Sequence, residues 1–395
     1  LLRSGKAVAC YTPGMGGIAE AVMKMAFGNG IGFEYSKDIT LEKIFGLSYA
    51  GFILELANGA EETGTLLGHT NDSGCISLNG ESIALSKLLG IYENKLESVY
   101  SCNIKNAGKG AENFSYETVE RKAPAIKVAK PRVLIPAFPG TNCDYDTAKA
   151  FRAAGAEVRT SVLCNIAGDD VLRSIAEMKE HIRRAHIFVL AGGFSAGDEP
   201  DGSAKFIVNV LNNKDIRDEI HALTDRGGLI LGICNGFQAL VKSGLLPYGR
   251  LGMVTKESPT LFRNVNRHIS QIVSTRVATT ASPWLRGFRP GELHSIAVSH
   301  GEGKFVVSEE LARELFANGQ VAFQYADAAG NPTAEAPWNP NGSSYAIEGI
   351  ISQNGLILGK MGHTERYENN LFKNIAGNKQ QSLFANAVAY FRKVQ

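Results

Sequence analysis

Cys234, His363 and Glu365 are the residues of this sequence best suited by type and placement to do chemistry. Cys234 lies in Gly232-Ile233-Cys234-Asn235-Gly236, between glycines, where the apolar run 228–233 gives way to a helical pattern over 235–242. A sharp strand-to-helix turn of this kind lifts its apical side chain over the strand ends, and the helix N-terminus beneath favours an anion. A thiolate is the anion such a position would hold. A free cysteine, with a pKa of about 8.5, is only a few per cent ionised at neutral pH, so a partner base is needed. The apolar run 356–360 leads into Met361-Gly362-His363-Thr364-Glu365-Arg366, which brings a histidine and a carboxylate off one strand end. A cysteine nucleophile, a histidine that takes and returns its proton, and an acid that orients the imidazole together perform acyl transfer. Alone, a buried cysteine is a small hydrophobe and a histidine after a strand is an ordinary loop residue. The glycine-flanked elbow joined to both is what favours the chemical reading.

The elements that must position these residues alternate from residue 132 onward. Strands are expected over 132–138, 157–163 and 186–190, with helices over 144–154 and 169–184, the pattern of a parallel sheet wrapped by helices. Such sheets bind ligands at the carboxyl ends of their strands. The cysteine elbow, the histidine loop and Ala191-Gly192-Gly193-Phe194-Ser195-Ala196-Gly197-Asp198 all fall at such ends. If the Gly192-Gly193 turn passes the elbow, the backbone N–H groups of Gly193 and Asn235 form an oxyanion hole, in which one donor is worth about 3 kcal/mol. The loop Pro139-Gly140-Thr141-Asn142-Cys143-Asp144 lacks the Lys-Ser/Thr of a phosphate-binding P-loop, and Asp144 is expected to cap the next helix. A terminal helix over 381–394 places Leu383, Phe384, Ala387, Val388 and Phe391 on one core-facing stripe.

With 395 residues, two or three domains are expected. Residues 1–103 read as an α+β half-domain, 104–130 as a linker rich in Lys, Glu, Ala and Pro, and 131–395 as the α/β domain that carries the chemistry. Within the first region a helix follows Gly16-Gly17 and runs through Phe27, 47–56 reads as a strand and 66–78 as a hairpin. A plain turn is favoured over a phosphate site at Gly16-Gly17. The net charge of +2 gives no field that argues for nucleic acid or an anionic membrane. No stretch approaches the length of a membrane helix. The six cysteines form no C-x-x-C pair and no metal-ligand spacing with the eight histidines, so neither a metal site nor a disulfide framework is expected and a reducing cytoplasm fits. Packing or surface roles suffice for all of them except Cys234 and Cys143. The chain opens on Leu1-Leu2-Arg3 without a methionine and reads as part of a longer polypeptide.

Four stretches carry a resemblance: Gly232-Ile233-Cys234-Asn235-Gly236-Phe237-Gln238, Gly192-Gly193-Phe194-Ser195-Ala196-Gly197-Asp198, Ser299-His300-Gly301-Glu302-Gly303 and Gly362-His363-Thr364-Glu365-Arg366. In this order they resemble the class I glutamine amidotransferase domain of phosphoribosylformylglycinamidine synthase, over about residues 131 to 395 and including Asn339-Pro340-Asn341-Gly342-Ser343. The first region is similar to the C-terminal half of that family's aminoimidazole-ribonucleotide-synthetase-like domain, as in its large single-chain members. The resemblance implies a flavodoxin-like parallel-sheet domain with Cys234 as nucleophile, His363 as base, Glu365 as orienting acid, and Gly193 and Asn235 as oxyanion donors. Ser195, Gln238 and His300 would hold glutamine or stabilise the site. It implies no cofactor for glutamine hydrolysis, and ATP, magnesium, formylglycinamide ribonucleotide and the missing N-terminal synthetase portion as partners of the complete enzyme. The family's histidine loop has prolines where Gly362 and Thr364 stand, a change expected to loosen the backbone. Its acidic pattern before Gly-Gly is replaced by Thr12-Pro13-Gly14-Met15, which weakens any nucleotide contact there. The same elbow and triad would serve another class I amidotransferase or a γ-glutamyl hydrolase, and a domain of this kind can also act as a non-catalytic docking module.

Overall fold

Alternating apolar runs and amphipathic helices build the second half of the chain, and a looser set of short strands builds the first. The computed structural model describes residues 1–99, 111–112, 115, 124, 126–198, 202–265 and 267–392, in two compact units, Leu1–Asn103 and Ile104–Gln395. Most of the segment 104–130 read as a linker lies outside the described residues.

The first unit contains β1 (Ala7–Tyr11), α1 (Gly17–Phe27), β2 (Gly32–Tyr35), α2 (Leu41–Phe45), β3 (Ile53–Leu56), β4 (Gly68–Asn71), β5 (Cys75–Leu78), β6 (Glu81–Ala84) and α3 (Leu85–Asn94). Ile18, Ala21 and Val22 of α1 pack with Tyr35, Ile39, Ile44 and Ile53 in a small core. Two expectations are corrected here. The strand expected over 47–56 shrinks to β3, and β4 and β5 are not a hairpin: β2 lies between them, in the order β4-β2-β5-β6. The hairpin is β5 with β6, closed by Asn79-Gly80, both at positive φ, the two-residue turn whose twist matches that of paired strands. At the start of α1 the N–H of Gly16 is bound by Glu20 Oε2 (2.8 Å) and that of Gly17 by the Gly14 carbonyl (3.1 Å), so the donors a phosphate would use are already occupied.

The second unit runs β7 (Arg132–Ala137), α4 (Asp144–Ala153), β8 (Glu157–Val162), α5 (Asp170–Arg184), β9 (Ile187–Leu190), α6 (Lys205–Leu211), α7 (Lys214–Asp225), β10 (Leu229–Ile233), α8 (Asn235–Ser243), α9 (Leu245–Tyr248), β11 (Thr260–Arg263), β12 (Ile269–Val277), β13 (Leu293–His300), β14 (Glu302–Val306), α10 (Glu309–Ala317), β15 (Val321–Tyr325), β16 (Ile347–Ile351), β17 (Ile357–Lys360) and α11 (Leu383–Phe391). Its main sheet has nine strands in the order β13-β12-β15-β16-β17-β10-β9-β7-β8. The five from β8 to β17 are parallel in flavodoxin-like order, and β16, β15, β12 and β13 extend the sheet antiparallel. β9 and β10 are buried throughout, as strands covered on both faces must be. The terminal helix buries Leu383, Phe384, Ala387, Val388 and Phe391, its expected stripe. Cys143, not Asp144, takes the N-cap position of α4, and no side chain caps that helix. None of the described helices is long and apolar enough to cross a membrane.

Candidate active site

β10 and β17 are neighbours, with Ile233 opposite Lys360, so the elbow and the histidine loop leave the sheet side by side. β9 lies on the other flank of β10, with Leu190 opposite Gly232, and delivers the Gly192-Gly193 turn to the same end. Cys234 itself stands at φ 51°, ψ −107°, a conformation that costs a non-glycine residue on the order of 1–3 kcal/mol. The tight turn is possible because α8 presses onto β9: a Cβ on Gly236 would stand 1.9 Å from the Leu190 carbonyl oxygen.

The side chains of His363, Cys143 and Cys234 meet over Gly192. A Cβ built there would lie 2.9 Å from His363 Cε1, 3.1 Å from Cys143 Sγ and 3.4 Å from Cys234 Cβ. His363 Nδ1 and Glu365 Oε1 are 2.6 Å apart, and both side chains are buried. Burial alone would discharge the imidazole, but the Glu365 carboxylate and the Cys234 sulfur outweigh it and hold the His363 pKa well above its ordinary value. Burial likewise works against the Glu365 carboxylate, and the charge and hydrogen bond of His363 overcome it, leaving this acid below the usual carboxylate range. Cys234 Sγ lies 3.8 Å from the Ser299 carbonyl oxygen, and the buried His363 Nε2 makes no hydrogen bond of ordinary length among the described residues. Nucleophile–base contacts of this kind are loose before substrate arrives and tighten around it.

A match to the family model described as CobB/CobQ-like glutamine amidotransferase domain spans residues 130–391, which contain every one of these groups. The chain belongs to this family. Curated relatives of the amidotransferase domain include the phosphoribosylformylglycinamidine synthase subunit PurQ of Methanococcus maripaludis, 32% identical over 286 residues that cover 68% of this chain and 100% of the relative. The PurQ subunit of Chlorobaculum tepidum is 35% identical over 260 residues, 65% of this chain and 98% of its own length. The solved structure of PurLQS from Thermotoga maritima aligns over 67% of this chain and 100% of that one, at 26% identity and a TM-score of 0.49.

The remaining candidates of the amidotransferase domain form the scaffold around the elbow. Asn235 Oδ1 accepts the N–H of Ser195 (3.2 Å), and its Nδ2 donates to Asp198 Oδ2 (2.9 Å) and Gln238 Oε1 (2.9 Å). Gln238 Nε2 in turn donates to the Glu302 carbonyl oxygen. Both polar ends of the Gln238 amide are therefore engaged within the protein. His300 is fully buried, with Nδ1 3.1 Å from Asn264 Nδ2, and burial together with the charge of His363 pushes its pKa down to about 3. The Ser299-to-Gly303 stretch meets Asn339-Pro340-Asn341-Gly342-Ser343, Asn341 Nδ2 donating to the Gly303 carbonyl oxygen (2.8 Å). Gly193, at φ 147°, is seated against Gly140 and Thr141. The Asn235 N–H belongs to the first turn of α8, where no intrahelical acceptor exists.

One neighbour of the triad was not assigned a role from sequence. Cys143 Sγ lies 3.9 Å from His363 Nδ1 and accepts a hydrogen bond from Arg366 at 3.2 Å. The position of its loop, directly after β7, was the available signal. Cys143, His363 and Glu365 offer ligand atoms within 4.8 Å of one another, the one such group found among the described residues. A metal there would have to take His363 Nδ1 away from Glu365. The five described cysteines are all free.

Proposed function

We propose that this chain is the glutaminase portion of a phosphoribosylformylglycinamidine synthase of the large single-chain type, joined to the C-terminal part of its synthetase-like domain. The convergence of Cys234 and His363 over Gly192, with Glu365 bonded to His363, carries the chemical half of this reading. The curated PurQ relatives, spanned almost completely by this chain, support the assignment to purine biosynthesis.

In this scheme the Cys234 thiolate attacks the side-chain amide carbon of glutamine, and the N–H groups of Gly193 and Asn235 receive the developing oxyanion. Collapse breaks the C–N bond while the His363 imidazolium gives its proton to the departing nitrogen, which leaves as ammonia. A water whose proton passes to His363 then cleaves the glutamyl thioester, releasing glutamate and restoring the thiol. Glu365 keeps the imidazole in the required orientation throughout. Glutamine hydrolysis needs no cofactor. ATP and magnesium belong to the synthetase portion, where ammonia replaces the formyl oxygen of formylglycinamide ribonucleotide in the cytoplasm. Ser195, Gln238 and His300 serve by holding the elbow and the adjoining strand end.

The test is covalent labelling by 6-diazo-5-oxo-norleucine, a glutamine-mimicking electrophile, with the modified residue read by peptide mass. A single adduct on Cys234, absent from Cys234→Ala and slowed in His363→Ala, is expected. Adducts spread over several cysteines would overturn the assignment. Amidine formation is expected only when the missing synthetase portion is supplied with ATP, and product from this chain alone would refute the division of labour.

A further inference from the structure

Beside the histidine loop, on the strands β16 and β17, lies a buried ion pair that the chemistry above does not use. Lys360 closes β17 and Glu348 lies on β16 beside it, and both side chains are fully inaccessible to solvent. Burying two charges costs several kcal/mol per ion unless geometry and added hydrogen bonds offset it, so what the pair binds is informative. The Lys360 ammonium stands 3.6 Å from Glu348 Oε1, yet its three protons go elsewhere: to the Gly362 carbonyl oxygen (3.1 Å), Thr364 Oγ1 (3.0 Å) and Gln381 Oε1 (3.0 Å). Glu348 Oε1 accepts the N–H of Gly362 at 2.6 Å. The pair therefore grips both peptide groups of the residue before His363 and the side chain of the residue after it.

Gly362 is fitted to this grip. A Cβ there would stand 2.8 Å from Glu348 Oε1 and 3.1 Å from Lys360 Nζ, and a residue without an N–H could not make the bond to Glu348. The loop that sequence alone suggested was loosened by Gly362 and Thr364 is instead tied down by ionic hydrogen bonds. We propose that Lys360 and Glu348 are positioning residues for His363, holding its imidazole at the distance from Cys234 that proton transfer requires. This rests on His363 acting as the base of an amidotransferase.

The experiment measures the maximal rate constant and the half-saturating concentration for labelling of Cys234 by 6-diazo-5-oxo-norleucine. It uses the full chain and its Lys360→Met, Glu348→Gln and Thr364→Val variants, with His363→Ala for reference. Expected for Lys360→Met is a maximal rate on the order of a hundredfold lower, as for a misplaced catalytic group, with half-saturation unchanged within twofold. Thr364→Val, which removes the bonds of that hydroxyl to Lys360 and Gln381 but leaves both grips on Gly362, is expected to lose less, and Glu348→Gln, which keeps an acceptor for the Gly362 N–H, to lie between them. If Lys360→Met fails to fold by circular dichroism, the other two variants decide. Rates within threefold of wild type in the folded variants, or a loss carried by half-saturation instead, would overturn the positioning role. Failure of the wild-type chain to label at Cys234 would instead refute the glutaminase reading itself.

Discussion

The backbone N–H of Cys234 donates to the carbonyl oxygen of Lys360 at 2.9 Å. The amide of Cys234, the proposed nucleophile, is thus hydrogen-bonded to the residue whose side chain grips the histidine loop, and Cys234 and that loop leave one pair of hydrogen-bonded strands. A site built on paired strands holds its geometry more closely than one carried on free loops. The strained conformation of Cys234 is sustained by the same arrangement, since α8 and β17 fix the elbow from both sides.

Glu365 tests whether the orienting acid matters to turnover. Glu365→Gln keeps the volume and an oxygen near His363 Nδ1 but removes the charge that raises the imidazole pKa. Glutaminase kcat is expected to fall by about 10² to 10⁴, by analogy with removal of the acid from a serine triad, with KM for glutamine little changed. Steady-state ammonia release decides it. A fall of less than threefold would mean that the orientation of His363 is set without Glu365.

Gly192 tests the convergence point. Its backbone does not occupy the left-handed region, so alanine is sterically possible for the chain, but the added methyl would stand 2.9 Å from His363 Cε1 and 3.1 Å from Cys143 Sγ. The imidazole must shift to admit it. A displacement approaching 1 Å costs on the order of a hundredfold, so Gly192→Ala is expected to lose about that much kcat while its melting temperature stays within a few degrees of wild type. Unaltered kcat would show that the ring has room to spare.

The parallel half of the second unit was legible because its strands and helices obey single periodicities from 132 to 190, and each boundary agrees with the structure to within one or two residues. The antiparallel half was not, and β13 shows why. Its alternation is strict, yet two of its inward positions are His294 and His300, so a hydrophobic reading breaks where the burial pattern does not. Lys360 and Glu348 mislead in the same way, as charges inside fully buried strands. Within the candidate site, residue type and spacing were enough to single out Cys234, His363 and Glu365, which the fold brings together, whereas the approach of Cys143 to His363 is visible only in three dimensions.

Cys143 separates the two thiols of the site. It lies beside His363 and accepts from Arg366, but Glu365 makes the shorter contact with His363 Nδ1. Cys143→Ala is therefore expected to retain glutaminase activity within about tenfold, the scale of one lost hydrogen bond, and to keep its electrophile adduct on Cys234. Loss of activity as complete as in Cys234→Ala would mean that Cys143 takes part in the chemistry.

His300 gives the second unit a defined response to acid. Its folded pKa of about 3 lies far below the ordinary value of 6.5. As the pH falls below 6.5 the unfolded chain takes up a proton that the folded chain refuses, so stability is lost toward low pH, by about 1.4 kcal/mol per unit until the folded pKa is reached. His363, with a raised pKa, behaves oppositely: its contribution is complete below 6.5 and is lost only as the pH rises, so it adds no slope in this window. The other histidines with lowered values, His181, His186, His221 and His294, are common to wild type and variant and cancel in a comparison. Replacing His300 with glutamine should therefore reduce the loss of stability between pH 6.5 and 5.0 by about 2 kcal/mol, whatever its effect at neutral pH. Urea unfolding followed by tryptophan fluorescence isolates the effect, because both tryptophans, Trp284 and Trp338, belong to the second unit. Equal losses in wild type and His300→Gln would show that the buried imidazole is protonated in the folded chain, and that Asn264 donates to its neighbours without holding it neutral.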